Sequence, residues 1–159
     1  MTTLIKRRRI EYDRWLRLPA EAEDAPREGD VIVPLALWRA RGEVLRWRYC
    51  SLGVWLEGHE DPAAIERDLH VFHLIALRVG GFADGRALSA ARLLRERYRW
   101  RGELRAFGDV GSDLLPFLER AGFDAFELRE DENAEAALAA LGEIRVQLPA
   151  FRRSASQSA

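Results

Sequence analysis

Residues 75–128 read IALRVGGFADGRALSAARLLRERYRWRGELRAFGDVGSDLLPFLERAGFDAFEL, and this stretch decides the fold. It holds three short apolar runs, each followed by a turn rich in Gly and Asp, with amphipathic helical segments between them. That alternation is the pattern of a parallel β/α layer. Layers of this kind bind ligands at the carboxyl ends of their strands. The polar residues just after each run are therefore the first place to look for a site.

Leu74–Val79 is apolar almost throughout, which predicts a strand buried on both faces. Asp84 is placed to cap the next helix, where Ala87, Ala90, Ala91, Leu94 and Tyr98 share one face. Leu104–Phe107 predicts another strand, ending in Gly108 and Asp109. Asp113 reads as an N-cap with Pro116 in the first turn, and Gly122 as the residue closing that helix, with Phe123 packing behind it. Ala125–Leu128 is the last strand. Asn133 caps a final helix to about Leu141, ended by Gly142.

Upstream, Val31–Val33 leads into a helix opened by Pro34 and interrupted at Gly42, Leu52–Leu56 is a strand, and Pro62 opens a short helix to about Leu69. Residues 3–18 alternate polar and apolar, as in a β-hairpin or an edge strand pair, and the Pro-rich, acidic residues 19–30 form a loop. Five strand starts near Val31, Leu52, Leu74, Leu104 and Ala125, roughly 20 to 30 residues apart, suit right-handed βα units. Five units are too few to close an eight-stranded barrel. The expected fold is thus α/β, with a mostly parallel sheet that is either open or an incomplete barrel. Its edges would be covered by the N-terminal hairpin or by a second subunit of a homo-oligomer. Residues 1–149 read as one domain, and 150–159 as a small, polar, disordered tail.

Composition narrows the function classes. The chain has 159 residues, 48% of them hydrophobic, which suits a single domain with a real core. Lys6 is the only lysine among 25 basic residues, and 26 acidic residues offset them, so no net charge draws the chain to nucleic acid. No apolar run reaches the roughly 18 residues of a membrane span, and no secretory leader is evident, so a cytoplasmic protein is expected. Cys50 is the only cysteine. It excludes an internal disulfide and an iron–sulfur cluster built by this chain alone, and it reads as an inert, packed thiol. His59, His70 and His73 lack structural-zinc spacing, and Ser89 lacks a nucleophile elbow. Five tryptophans are read as core and interface anchors. No cofactor is expected.

The loop after Val79 is the leading site candidate. It combines a strand end, Gly80, Gly81 and Gly85, a helix N-terminus, and two flanking arginines, Arg78 and Arg86. Helix N-termini and guanidinium groups both favour oxyanions. A ligand set of Arg78, Gly81, Asp84, Gly85, Arg86, Ser89, Gly108 and Asp109 follows. Asp84 and Asp109, on one edge of the sheet, are the candidate acid–base carboxylates. The competing reading is a tight turn in which Asp84 only caps the helix and pairs with Arg86, while Asp109 serves a turn.

Several pieces of this stretch resemble the bacterial DUF934 family: the run Ile75-Ala76-Leu77, Asp84-Gly85-Arg86 after Phe82, Ser89 through Tyr98, Arg101 through Val110, and Gly122 through Leu128. The resemblance extends over about residues 4–149. It implies an accessory role in assimilatory sulfite reduction, with nitrite/sulfite reductase or another sulfur-assimilation protein as partner and a small oxyanion as ligand. It carries over Phe82, Asp84, Gly85, Arg86, Ser89, Arg92, Arg95, Arg101, Gly102, Glu103, Arg105, Gly108 and Asp109 as motif residues. The chain departs from the family pattern at Ala87-Leu88 and at Leu114-Leu115-Pro116. The family's oxidoreductase label can mean only membership of a redox system, because this chain has no cluster cysteines and no sirohaem or flavin fingerprint. Two further readings stay open: a small-molecule enzyme using Asp84 or Asp109, and an interaction module without a ligand.

Overall fold

The structure is a computed structural model, and it describes residues 2–47, 51–81 and 84–147. The elements follow in chain order: β1 (Leu4–Lys6), β2 (Arg9–Glu11), β3 (Leu16–Arg17), β4 (Val31–Pro34), α1 (Leu35–Leu45), β5 (Leu52–Leu56), a 3₁₀ helix (Pro62–Val71), β6 (Leu74–Val79), α2 (Gly85–Arg92), a π turn (Leu93–Arg97), β7 (Glu103–Gly108), α3 (Leu115–Ala121), β8 (Ala125–Glu127) and α4 (Ala134–Gln147). All strands belong to one sheet of order β2-β1-β8-β7-β6-β5-β4-β3. Strands β3 to β8 run parallel, while β1 is antiparallel to both β8 and β2. Arg7 and Arg8 both take positive φ, as the two-residue turn of the β1–β2 hairpin requires.

Chain connectivity forces the sheet to curl. If flat, the sheet would hold its edge strands β2 and β3 about 34 Å apart, at seven strand spacings. Only Tyr12–Trp15 separate those strands, and the step from Glu11 to Leu16 spans at most about 18 Å. The sheet therefore bends into an open half-barrel, and Tyr12–Trp15 forms a strap between its two edges. The N-terminal segment supplies the expected hairpin at one edge and, beyond that expectation, a separate short strand at the other.

Strand alternation divides the side chains between two faces. Outward, Val31, Val33, Val54, Ile75, Leu77, Leu104, Ala106 and Phe126 join the main core beneath the helices, with Ala87 and Ala91 of α2 and Leu115 and Leu118 of α3. Inward, Ile32, Trp55, Leu74, Ala76 and Phe107 form a small apolar cluster on which Trp15 of the strap packs.

Three local expectations are corrected. Helix α3 begins at Leu115 rather than just after Asp113: Leu114 is its N-cap without a side-chain cap bond, because the Leu114 N–H donates to Gly111 O in a preceding turn. Helix α4 runs through Gly142 to Gln147, since one glycine costs a helix only about 1 kcal/mol. The segment opened by Pro62 is a 3₁₀ helix reaching Val71, with the Asp61 carboxylate accepting from the Ala63 N–H. Gly122 and buried Phe123 close α3 as expected, the Phe123 N–H donating to Leu118 O. The readings of Cys50 and of the 150–159 tail fall outside the described residues, as does Phe82. Among the described residues no helix is long and apolar enough to cross a membrane.

Candidate functional site

The loop after β6 is built around the Asp84 carboxylate. Oδ1 accepts from the Arg86 N–H at 3.1 Å and from Arg86 Nε at 3.0 Å, and Oδ2 accepts from the Gly80 N–H at 3.1 Å. Asp84 thus caps α2 and ties the strand end to the helix start. The Arg86 guanidinium bond is the main reason that its pKa is lowered, outweighing the opposing effect of burial. A carboxylate held in its ionised form this way is a poor general base at neutral pH.

Asp109 stands beside it on the same edge, as the parallel register predicts. The Asp109 N–H donates to Val79 O, and the carboxylate accepts from Arg129 Nη1 at 2.6 Å. Gly81 has φ of +104°, a backbone conformation that favours glycine, and it lies beneath the Asp109 carboxylate. Gly108 likewise has φ of +101° beneath Val79 O.

Arg78 and Arg86 engage different partners. Arg78 lies on the inner face, where its Cζ sits 5.2 Å from the Trp55 ring centroid and 5.0 Å from that of Phe107, and its Nε is 2.9 Å from Glu57 Oε2. Arg86 belongs to α2 on the outer side and rests against Gly58. Gly85, Arg86 and exposed Ser89 line a shallow outer groove of about 480 Å³ with Glu60 and Pro62. Of the other motif residues, Arg92 and Arg101 are exposed. Arg95 is structural: it donates to the carbonyls of Gly122, Trp100 and Gly102.

The densest charge cluster lies inside the half-barrel. Arg105, 1% exposed, donates to Glu103 Oε1 at 2.9 Å, Asp13 Oδ2 at 2.9 Å and Glu127 Oε1 at 3.1 Å. Lys6 Nζ lies 2.8 Å from Glu103 Oε2, and Arg17 Nη2 donates to Glu127 Oε2 at 2.9 Å. Three cations thereby face three carboxylates. Burial alone would lower the Arg105 pKa, but Glu103, Asp13 and Glu127 raise it on balance, so Arg105 stays cationic at any ordinary pH. The network ties the strap to β7, and β3 to β8. Its sequence signal was the alternation Glu103-Leu104-Arg105-Ala106, which sends the charges to one face and the apolar residues to the other. Among the described residues no three His, Cys, Asp or Glu side chains are grouped to hold a metal ion.

These features define an α/β half-barrel with a charged interior and a capped, glycine-rich strand-end loop. The chain belongs to the DUF934 family, bacterial proteins of unknown function, whose match covers residues 53–155. No curated protein matches it. The matched region takes in β5 to α4, and with them Arg78, Asp84, Arg105, Asp109 and Glu127. Lys6, Asp13 and Arg17, which complete the interior network, lie outside it.

Proposed function

We propose that this protein is an accessory of assimilatory sulfite reduction that acts by binding a partner protein, either the nitrite/sulfite reductase or another sulfur-assimilation protein. The observation that carries the binding role is the exposure of apolar side chains on both edge strands and in the strap between them: Ile10 on β2, Tyr12 in the strap and Leu16 on β3, at 47%, 82% and 53% exposure. Exposed apolar groups on unpaired edge strands favour a protein partner. The link to sulfite reduction rests on the motif resemblance. The enzyme reading is less well supported, because the Asp84 carboxylate is engaged by Arg86 and the Gly80 N–H, and that of Asp109 by Arg129.

The test is a deletion strain of a bacterium that carries the gene, grown on sulfate or on cysteine, with affinity capture of the tagged protein. A sulfate-specific growth defect with recovery of the reductase is expected. Both effects should be lost in an Ile10→Lys/Leu16→Lys variant that still folds. Normal growth on sulfate together with capture of no sulfur-assimilation protein overturns the reading.

A further inference from the structure

The amino end of the half-barrel, opposite the carboxyl mouth where the Asp84 loop stands, carries an open groove. Leu74 and Glu103 are register partners at the starts of β6 and β7, so the segments leading into these strands lie side by side. Between them, Leu69, Phe72, Tyr98 and Trp100 floor a groove of about 470 Å³, and His70, His73, Arg99 and Arg101 surround it. Phe72 and Trp100 are buried, while Leu69 and Tyr98 are half-buried and form the accessible part of the floor.

The wall beside β7 is firmly held. The Trp100 N–H donates to Leu94 O at 2.8 Å, its indole Nε1 donates to Glu103 O at 3.1 Å, and Arg95 Nη1 donates to Trp100 O and Gly102 O, each at 2.8 Å. The alternation Arg99-Trp100-Arg101 buries the indole and leaves both arginines exposed. Among the described residues neither arginine has a carboxylate at ion-pairing distance, whereas Arg8, Arg46, Arg86 and Arg129 each have one. No acidic side chain among those residues lines the groove. Arg99 is also held at φ of +59°, a left-handed conformation that glycine takes without strain. An exposed arginine kept at such a position, and left without an acid, points to a role outside the fold.

We propose that this groove docks an acidic segment of a partner protein. Carboxylates of the segment would pair with Arg99 and Arg101, and an apolar side chain would lie on Leu69 and Tyr98. Charge complementarity of this kind sets specificity and the rate of association. The groove is too open to enclose a small molecule, as sites of that class do. Two arginines, in a chain with 25 basic and 26 acidic residues, make too short a track for nucleic acid, which needs a run of phosphate contacts. The groove lies within the family-matched residues 53–155, unlike Ile10, Tyr12 and Leu16, and the inference does not depend on the accessory role.

The test is selection of a display library of random short peptides on the immobilised full chain. Calorimetry then compares the enriched peptide with an oligothymidylate and with phosphatidylglycerol vesicles. Enrichment of sequences that combine several Asp or Glu residues with an aliphatic or aromatic one is expected, with binding that weakens as salt is raised. Affinity for the enriched peptide should fall about fivefold or more in Arg99→Gly/Arg101→Gln. Arg99→Gly relieves the backbone, so that single variant should melt no lower than the parent, and its lost affinity is then not a loss of folding. Arg86→Ala, which removes one positive charge at the opposite end, should bind as the parent does. Enrichment of no acidic sequence, full affinity in the folded double variant, or tighter binding of the oligonucleotide or the vesicles than of the peptide would each overturn the proposal.

Discussion

On its outer face the sheet presents Ile75, Leu77, Leu104, Ala106 and Phe126 to the helices, whereas the same strands present Arg78, Glu103, Arg105, Phe107 and Glu127 inward. Both faces are buried, but their stability depends on different conditions. Apolar burial is insensitive to pH and tolerates similar volumes. A buried ion network contributes little net stability when complete, yet breaking it is costly because charges are left without partners. The outer face accordingly explains why the layers hold together. The inner face explains which conformation the strap and edge strands adopt around the mouth.

Two substitutions on adjacent strands should separate these regimes. Arg105→Met leaves Glu103, Asp13 and Glu127 buried without their shared cation, and a loss of about 3–5 kcal/mol is expected in urea unfolding at neutral pH. Phe126→Ala on the outer face should lose a similar amount, about 3–5 kcal/mol, but through the cavity it leaves rather than through unpaired charge. An Arg105→Met protein as stable as the parent at neutral pH would end the distinction. The strap gives the next effect in size. Asp13→Ala removes the bond to Arg105 and the acceptor for the Trp15 N–H, and should cost about 1–3 kcal/mol. Limited proteolysis should show faster cleavage within Tyr12–Trp15, and an unchanged rate would mean that the strap is held by Trp15 packing alone.

The contrast also explains what could be read from residue order. Leu74–Val79 and the Gly- and Asp-rich turns after it announce a parallel strand and its end, because propensity and turn chemistry are local. The Asp84 cap is legible for the same reason, since its partners are Arg86 and Gly80. The interior network is not local. Asp13 and Arg105 are 92 positions apart, and Arg17 and Glu127 are 110 apart. In a chain that is 32% charged, such residues read as solvated faces until the curl of the sheet encloses them. The curl follows from the four-residue strap, whose meaning appears only once β3 is known to pair with β4. The early start read for α3 was a local error, because the Gly111–Leu114 turn displaces the helix past the Asp113 cap.

Two aspartates outside the network carry the comparison down to small effects, with opposite signs in pH. Asp84 has a lowered pKa, chiefly through Arg86, so its stabilisation is complete above the unfolded value of about 3.9 and disappears as pH falls through the lower native value. Asp84→Ala should lose about 1 kcal/mol as a helix cap at neutral pH, and the gap to the parent should close only on the acid limb of a thermal-unfolding series. Asp124 behaves in the opposite way. Burial is the main cause of its raised pKa, exceeding the help of the Leu104 N–H and of Arg95, whose nitrogen is 3.5 Å away. Burial likewise lowers the Arg95 pKa, so desolvation outweighs attraction on both sides of this pair. The native state therefore loses stability as pH rises from the unfolded value of about 3.9 through the raised native one. Asp124→Asn retains an acceptor for the Leu104 N–H and should change neutral-pH stability by less than about 1 kcal/mol. The variant should also lack the parent's decline in stability across the mildly acidic range. If the decline persists, it originates in groups other than Asp124.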